Sequence, residues 1–230
     1  KGELVGVNTA IFSRSGGSNG IGFAIPAEMV KRVVNAAINE GSFVRPWLGL
    51  AGQTVSYDMA KAQGLDRPIG VMVTEVYDDG PADRAGLRRG DLVTDIDGRE
   101  VFDEKGLKFL AAIKSPGETT ELTLLRGGKQ MTKKVKLAPP PGATEADVVL
   151  LEGQNVFSGA RVVELSPRLA EENGLDPFQK GSGIYVHSVL RRSVARGYFR
   201  PGDILRSVHG VQTKSVKDLK ALLKPDAHTW

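Results

Sequence analysis

The sequence predicts a mainly β protein with short helices, of the α+β class, in which one module of about 90 residues occurs twice. Three observations carry this. Gly-Val-Met-Val-Thr-Glu-Val from Gly70 to Val76 recurs as Gly-Ile-Tyr-Val-His-Ser-Val from Gly183 to Val189, and Ala-Gly-Leu-Arg-Arg-Gly-Asp-Leu-Val, ending at Val93, recurs as Gly-Tyr-Phe-Arg-Pro-Gly-Asp-Ile-Leu, ending at Leu205. The register then holds, with Gly98 matching Gly210, Leu107 matching Leu219, Leu110 matching Leu222 and, upstream, Gly49 matching Gly159. Finally, the apolar runs are short, alternate as strands do and end at Gly, Pro or Asp, while stripes of helical spacing are brief.

The chain of 230 residues has room for two to three small domains, and 40% hydrophobic with 25% charged residues is ordinary globular composition. No apolar run nears the ~20 residues of a bilayer crossing, and Lys1-Gly-Glu-Leu-Val reads as mid-domain sequence, not as a signal peptide. Without cysteine, disulfides, thiolate metal sites and a cysteine nucleophile are excluded, which suits an oxidising compartment. The net charge of +4 concentrates in the last third, where residues 154–230 hold 12 Lys and Arg against 7 Asp and Glu. Arg191, Arg192, Arg196, Arg200 and Arg206 could attract nucleic acid or anionic lipid, yet neither interleaved aromatics nor a helix-turn-helix signal accompanies them, so a solvated face is the reading and no nucleic acid is expected.

Residues 1–25 alternate as paired strands, Glu3 to Ile11 and Gly20 to Ile25, joined by a loop from Ser13 to Asn19. The loop is glycine-rich but lacks the Lys-Ser/Thr and helix start of a phosphate site. Residues 26–44 form a linking helix with Pro26 first, Gly41 as its stop, and a core-facing stripe of Met29, Val30, Val33, Val34, Ala37 and Ile38. Two strands and one helix cannot close a core, so this piece is expected to be part of a larger domain.

The first repeat spans 45–138. It comprises Trp47-Leu48-Gly49-Leu50, a short helix at Tyr57–Gln63, a strand at Val71–Val76, a short helix from Pro81 to its stop at Gly86, and a strand at Leu92–Ile96 turning at Asp97-Gly98. A helix at Glu104–Ile113 and strands at Glu121–Leu125 and Met131–Leu137, joined at Gly127-Gly128, complete it. Residues 139–153, with three consecutive prolines and only acidic charges, are expected to be an extended spacer. The second repeat, 154–230, ends where the first reaches about residue 118, so its closing strand pair is expected to be absent.

Trp47-Leu48-Gly49-Leu50, Gly80-Pro81-Ala82, Ala85-Gly86-Leu87, Gly90-Asp91 and the helix after Asp97-Gly98 resemble a PDZ domain of the bacterial type. Gly2-Glu-Leu-Val-Gly-Val-Asn-Thr-Ala-Ile with Asn19-Gly-Ile-Gly-Phe-Ala-Ile-Pro resembles the end of the trypsin-like domain of HtrA (Do/DegP-like) proteases. The resemblance implies a remnant of a trypsin-like β-barrel followed by two PDZ-like domains, the second truncated. It also implies a bacterial periplasmic serine endopeptidase of protein quality control, assembled as a trimer or larger homo-oligomer and acting on unfolded or misfolded proteins, with no cofactor and no metal.

A partner's C-terminal carboxylate needs several donors at once, which a glycine bend at Gly49 can turn toward one point, and the partner then adds as a strand along the edge after Trp47–Leu50. The apolar pocket is expected among Leu48, Leu50, Leu107, Leu110 and Ala111, with the exposed charge of Arg45 nearby; a buried β-turn is the plainer alternative. The second loop, Phe157-Ser158-Gly159-Ala160, keeps the glycine but replaces both flanking leucines by small residues, so a shallower pocket or a contact role is expected, with its arginine cluster docking between subunits. By resemblance, Asn8, Thr9 and Ala10 pair with substrate backbone and Ile21, Gly22 and Phe23 wall the pocket before the cleaved bond; the alternative is two core strands.

No catalytic residue is expected here. The family's nucleophilic serine sits in a Gly-Asn-Ser-Gly-Gly motif that would precede Lys1, and His187, His209 and His228 read as strand or turn residues. Asp95-Ile-Asp97-Gly-Arg-Glu100 only echoes a calcium loop and reads as a turn. The rivals are a non-catalytic PDZ adapter or chaperone and, less fitting, an intramembrane protease with tandem PDZ domains.

Overall fold

The computed structural model describes residues 2–13, 17, 19–39, 43–178 and 183–223. The chain divides into two compact units, Lys1–Pro139 and Pro140–Trp230.

In the first unit, β1 (Gly6–Ile11) and β2 (Gly22–Pro26) form an antiparallel hairpin with a bulge between Asn8 and Ala10. Helix α1 (Ala27–Asn39) follows directly, its first amide bonded to Val5 O at 2.9 Å. Pro26 therefore closes a strand, one residue short of the helix. The expected stop at Gly41 lies outside the described residues. The expected core-facing stripe is overturned: Arg32 and Ala36 are the buried residues, whereas Val33, Val34 and Ile38 are exposed. Arg32 displaces the stripe because its guanidinium finds partners, Nε donating to Lys114 O at 2.8 Å and the cation lying 5.5 Å from the Phe43 ring centre. Glu28 adds an ion pair to Arg99 at 2.9 Å.

The remainder of this unit is built from β3 (Leu50–Thr54), α2 (Tyr57–Ala62), β4 (Val71–Val76), α3 (Pro81–Arg84), β5 (Leu92–Ile96), β6 (Arg99–Glu100), α4 (Glu104–Ala112), β7 (Thr119–Arg126) and β8 (Lys129–Lys136). The sheet runs β3-β4-β5-β7-β8, with β6 paired to β5. Short strands follow from the turn chemistry: Asp97 and Gly98 have φ of 49° and 76°, and Gly127 and Gly128 have 57° and 75°, the left-handed pairs that two-residue hairpins need. One apolar cluster joins Leu48, Leu50 and Val73 of the sheet side to Leu107, Leu110 and Ala111 of α4.

Two polar locks hold the module. Asp91, 1% exposed, takes Arg126 in a fork of 2.6 and 2.7 Å and the Arg88 amide at 2.8 Å, while Arg126 also reaches Gly86 O at 2.8 Å. The hydrogen bonds to Asp91 push the Arg126 guanidinium still higher than usual. At the other end, Asp97 accepts from Lys114 at 2.6 Å and from the Thr120 hydroxyl and Glu121 amide at 2.7 Å. Burial opposes its ionisation, but these donors outweigh it and hold the carboxyl below the usual aspartate range. Glu118, at 3.0 Å from Lys114, is likewise held low: burial is outweighed by the Ser115 amide and Lys114. For Lys114 burial is outweighed by the two carboxylates, which raise it.

The second unit repeats the plan, and residues 139–153 depart from expectation. They do not remain an extended spacer: a 3-10 turn at Glu145–Asp147 leads into β9 (Val149–Leu150), which belongs to this unit's sheet. Then come β10 (Ala160–Glu164), α5 (Pro167–Glu172), β11 (Ile184–Val189), β12 (Ile204–Leu205), β13 (Ser207–Val208), β14 (Val211–Gln212) and α6 (Val216–Leu222). The sheet order is β12-β11-β10-β9, and β13 pairs separately with β14. The spacer prediction fails because prolines 139–141 stiffen only the start, after which Val149 and Leu151 have an apolar cluster to join.

Two outcomes test this packing. Arg126→Met leaves a buried carboxylate unpaired and is expected to cost about 3–5 kcal/mol, read as a lower urea midpoint at unchanged slope. Carboxyls held low stabilise above their unfolded pKa near about 4 and lose that stability as pH falls through the folded value; a lysine held high stabilises below about 10.4 and loses it as pH rises through its raised value. The urea midpoint of the first unit is therefore expected to be flat at neutral pH and to drop toward pH ~3, and Lys114→Met is expected to shrink the difference between those two conditions.

Candidate functional site

The loop 47–50 is fixed from behind. Trp47 N donates to Ala138 O at 2.8 Å, and its ring meets Tyr77 edge-on with centres 5.2 Å apart. Leu48 O accepts from Ala82 N at 2.8 Å and Gly49 O from Tyr77 N at 2.9 Å. Both carbonyls are thus committed to the body of the domain. Gly49 makes the bend at φ +73°, and a Cβ there would stand 3.0 Å from Pro81 Cδ, so conformation and space both call for glycine. The amides of Leu48 and Gly49 have no acceptor among the described residues, although both residues are buried.

Strand β3 pairs with β4 on one side, and among the described residues no strand pairs on its other side. The flanking bonds Tyr77 N to Gly49 O and Val55 N to Gly70 O, with the pairs Leu50↔Val76 and Thr54↔Val71, put Leu50 and Thr54 at widely spaced positions. At such positions the N–H and C=O turn away from the paired strand, here toward the outer edge. Helix α4 borders that edge, tied at its start by Glu104 N donating to Thr54 Oγ1 at 3.2 Å and capped by Asp103 Oδ1, which accepts from Gly106 N at 2.6 Å. The result is a glycine bend with two undirected amides, then a strand edge, with an apolar floor shared by β3 and α4.

The structure brings Leu48, Gly49, Leu50, Leu107, Leu110 and Ala111 into this one region; the apolar five belong to a single cluster, with Leu50 and Leu110 each 7% exposed. Trp47 acts from behind, as the anchor to Ala138, and Arg45 is exposed. Thr54 and Pro81 were not legible as site residues. The signal that could have found Thr54 is its place at the repeat distance from Glu164, which bonds the start of α6 in the same way, Val216 N donating to Glu164 Oε1 at 3.1 Å.

The second loop has the same frame. Ser158 O accepts from Ala195 N at 3.1 Å, Gly159 O accepts from Leu190 N at 2.9 Å, and Gly159 has φ +90°. Phe157 stacks on Phe199 with centres 4.7 Å apart, and Ala160 is fully buried. Asn8, Thr9, Ala10, Ile21, Gly22 and Phe23 all lie on the exposed β1–β2 hairpin, Thr9 at the bulge with its hydroxyl donating to Phe23 O at 3.3 Å. His187 lies within β11, His209 takes φ 52° in the turn equivalent to Asp97-Gly98, and His228 lies outside the described residues.

A family model described as the PDZ domain matches residues 46–137. Curated relatives named as probable periplasmic serine endoproteases, DegP-like, are 37% identical over 210 residues in Ectopseudomonas mendocina (strain ymp) and 36% identical over 230 residues in Rhizobium meliloti (strain 1021), covering 89% and 95% of this chain. The chain spans 43% of the length of either relative. Among solved structures, the HtrA-type protease AlgW with a decapeptide is 38% identical, with 62% of this chain and 44% of that one covered at a TM-score of 0.46. Residues 46–137 are thus a PDZ domain, and the chain belongs to the HtrA family, corresponding to part of its DegP-like members.

Proposed function

We propose that this chain is the substrate-binding and regulatory part of a periplasmic HtrA-like serine endopeptidase of protein quality control, whose first PDZ domain captures C-termini or extended segments of unfolded proteins. The observation that carries the reading is the outer edge of β3 beside α4, headed by the undirected amides of Leu48 and Gly49. A carboxylate at the bend would accept from those amides, the peptide would continue antiparallel along Leu50 to Thr54, and its last side chain would meet Leu48, Leu50, Leu107, Leu110 and Ala111. Main-chain pairing makes capture tolerant of sequence, while the apolar floor favours an apolar terminal residue.

The relatives' names support the periplasmic protease assignment. In this reading Asn8 to Ala10 pair with the substrate backbone, the cutting residues belong to the rest of the parent enzyme, and assembly is as a homo-oligomer of three or more subunits.

The test is fluorescence anisotropy of the chain with a labelled peptide ending in Val, as free acid and as amide. Loss of the charged hydrogen bonds is expected to weaken the amide by about tenfold to a hundredfold, and Gly49→Ala, which forces a Cβ against Pro81, is expected to bring the acid down toward the amide. Equal affinities for acid and amide would remove the carboxylate site.

A further inference from the structure

The second unit holds a groove of the same construction, and the chain's own segment lies in it. Strand β9 pairs antiparallel with the edge of β10 that corresponds to the outer edge of β3, with Leu150 opposite Arg161 and Val149 opposite Val162. Leu151 continues into the glycine bend: its N–H donates to Ala160 O at 2.8 Å, and its C=O accepts from Gly159 N at 2.8 Å. Gly159 is the counterpart of Gly49, whose amide has no acceptor among the described residues. The Leu151 side chain is 2% exposed and packs in one cluster with Val216, Leu219 and Leu222 of α6, the last two being counterparts of Leu107 and Leu110. Backbone amide, carbonyl and side chain of Leu151 thus each take a place that the terminal residue of a bound peptide would take in the first domain.

We infer that the second unit is a peptide groove carrying an internal ligand, Val149-Leu150-Leu151, with Leu151 standing in for a C-terminal apolar residue and its carbonyl for the carboxylate. An open pocket of about 460 Å³ adjoins Val149, Glu164 and Val216, walled by Gly142, Ala143 and Asp147, so the groove's far end meets the same segment that supplies the ligand. One repeat upstream, the sequence equivalent to Val149-Leu150-Leu151 is Asn39-Glu40-Gly41, which offers no side chain able to fill an apolar pocket. The two domains therefore differ in occupancy: the first takes a peptide from outside, and the second excludes one until its own segment is displaced. A tethered competitor acts at an effective concentration of about millimolar, and binding is weakened by the fraction of molecules whose groove is open, so an outside peptide is expected to bind the second groove about 100-fold more weakly than it would once the segment is removed.

The experiment is amide-resolved NMR and hydrogen exchange on the full chain, with a hexapeptide ending in Val-Leu-Leu and a free carboxylate as the probe. In the unmodified chain the Gly159 amide is expected to be protected and the Gly49 amide to exchange readily, and the probe is expected to shift Gly49 while leaving Gly159 and Leu219 unmoved. Leu151→Asp, which puts charge into the apolar pocket, is expected to release the segment and let the probe shift Gly159 and Leu219 at concentrations about 100-fold lower. Leu151→Ala keeps the backbone bonds and is expected to give an intermediate response. Gly159 exchanging as fast as Gly49 in the unmodified chain, or equal probe response at Gly159 with and without Leu151→Asp, would overturn the internal ligand; the exchange comparison holds even if the Asp variant unfolds the unit. The probe draws on the reading of the first groove, but a silent Gly49 would count against that reading alone, because Gly159 and Leu219 report separately.

Discussion

A strand at the border of a sheet turns every second N–H and C=O outward, and those groups are satisfied by water or by another strand. This constraint organises both units. In each, a glycine bend commits its carbonyls to the domain body, at Leu48 and Gly49 in one and Ser158 and Gly159 in the other, while the Gly49 amide has no acceptor among the described residues and the Gly159 amide donates to Leu151 O. In each, a helix is tied beside the strand at its far end, through Thr54 or Glu164. Helix and bend together border a slot along the outer edge of the strand.

The rest of the fold keeps that slot rigid. The Gly90-Asp91 pair, which recurs as Gly202-Asp203, folds the preceding turn through its carboxylate, which accepts from Arg88 N at 2.8 Å and, in the repeat, from Arg200 N at 2.7 Å. In the first unit Arg126 then clamps Asp91 to the end of β7. A recurring motif can thus mark a structural joint, and its chemistry is read only once the partner, 35 residues away, is brought alongside.

Much of this was legible in the sequence because it is local. Hairpin glycines, the proline opening α3 and the alternation in β4 and β11 encode their own conformations within a few residues, and the i, i+3 spacing of Leu107 and Leu110 marked the helix face that meets β3. What stayed hidden depends on distant partners. The buried face of α1 was misjudged because Arg32 owes its burial to Lys114 O and the Phe43 ring, which no helical period reports. Strand β9 is two residues long, too short to alternate, and follows a proline tract that points to a spacer. Thr54 contributes through a hydroxyl bonded to an amide 50 residues on.

The repeats also separate two determinants of binding that a motif comparison merges. Judged by loop composition, Trp47-Leu-Gly-Leu is the binder and Phe157-Ser-Gly-Ala the degenerate copy. Yet the bend is the same in both, with left-handed glycines at φ +73° and +90° and matching carbonyl partners, so loop composition does not decide whether the groove can form. The deciding position lies eight residues before the glycine, where the first repeat has Gly41 and the second has Leu151. An apolar side chain there can enter the pocket and bring its backbone to the strand edge, satisfying in one step the outward groups and the apolar floor. Duplicated grooves can therefore diverge in function while conserving their architecture, by a change in the segment that leads into the domain and none in the groove itself.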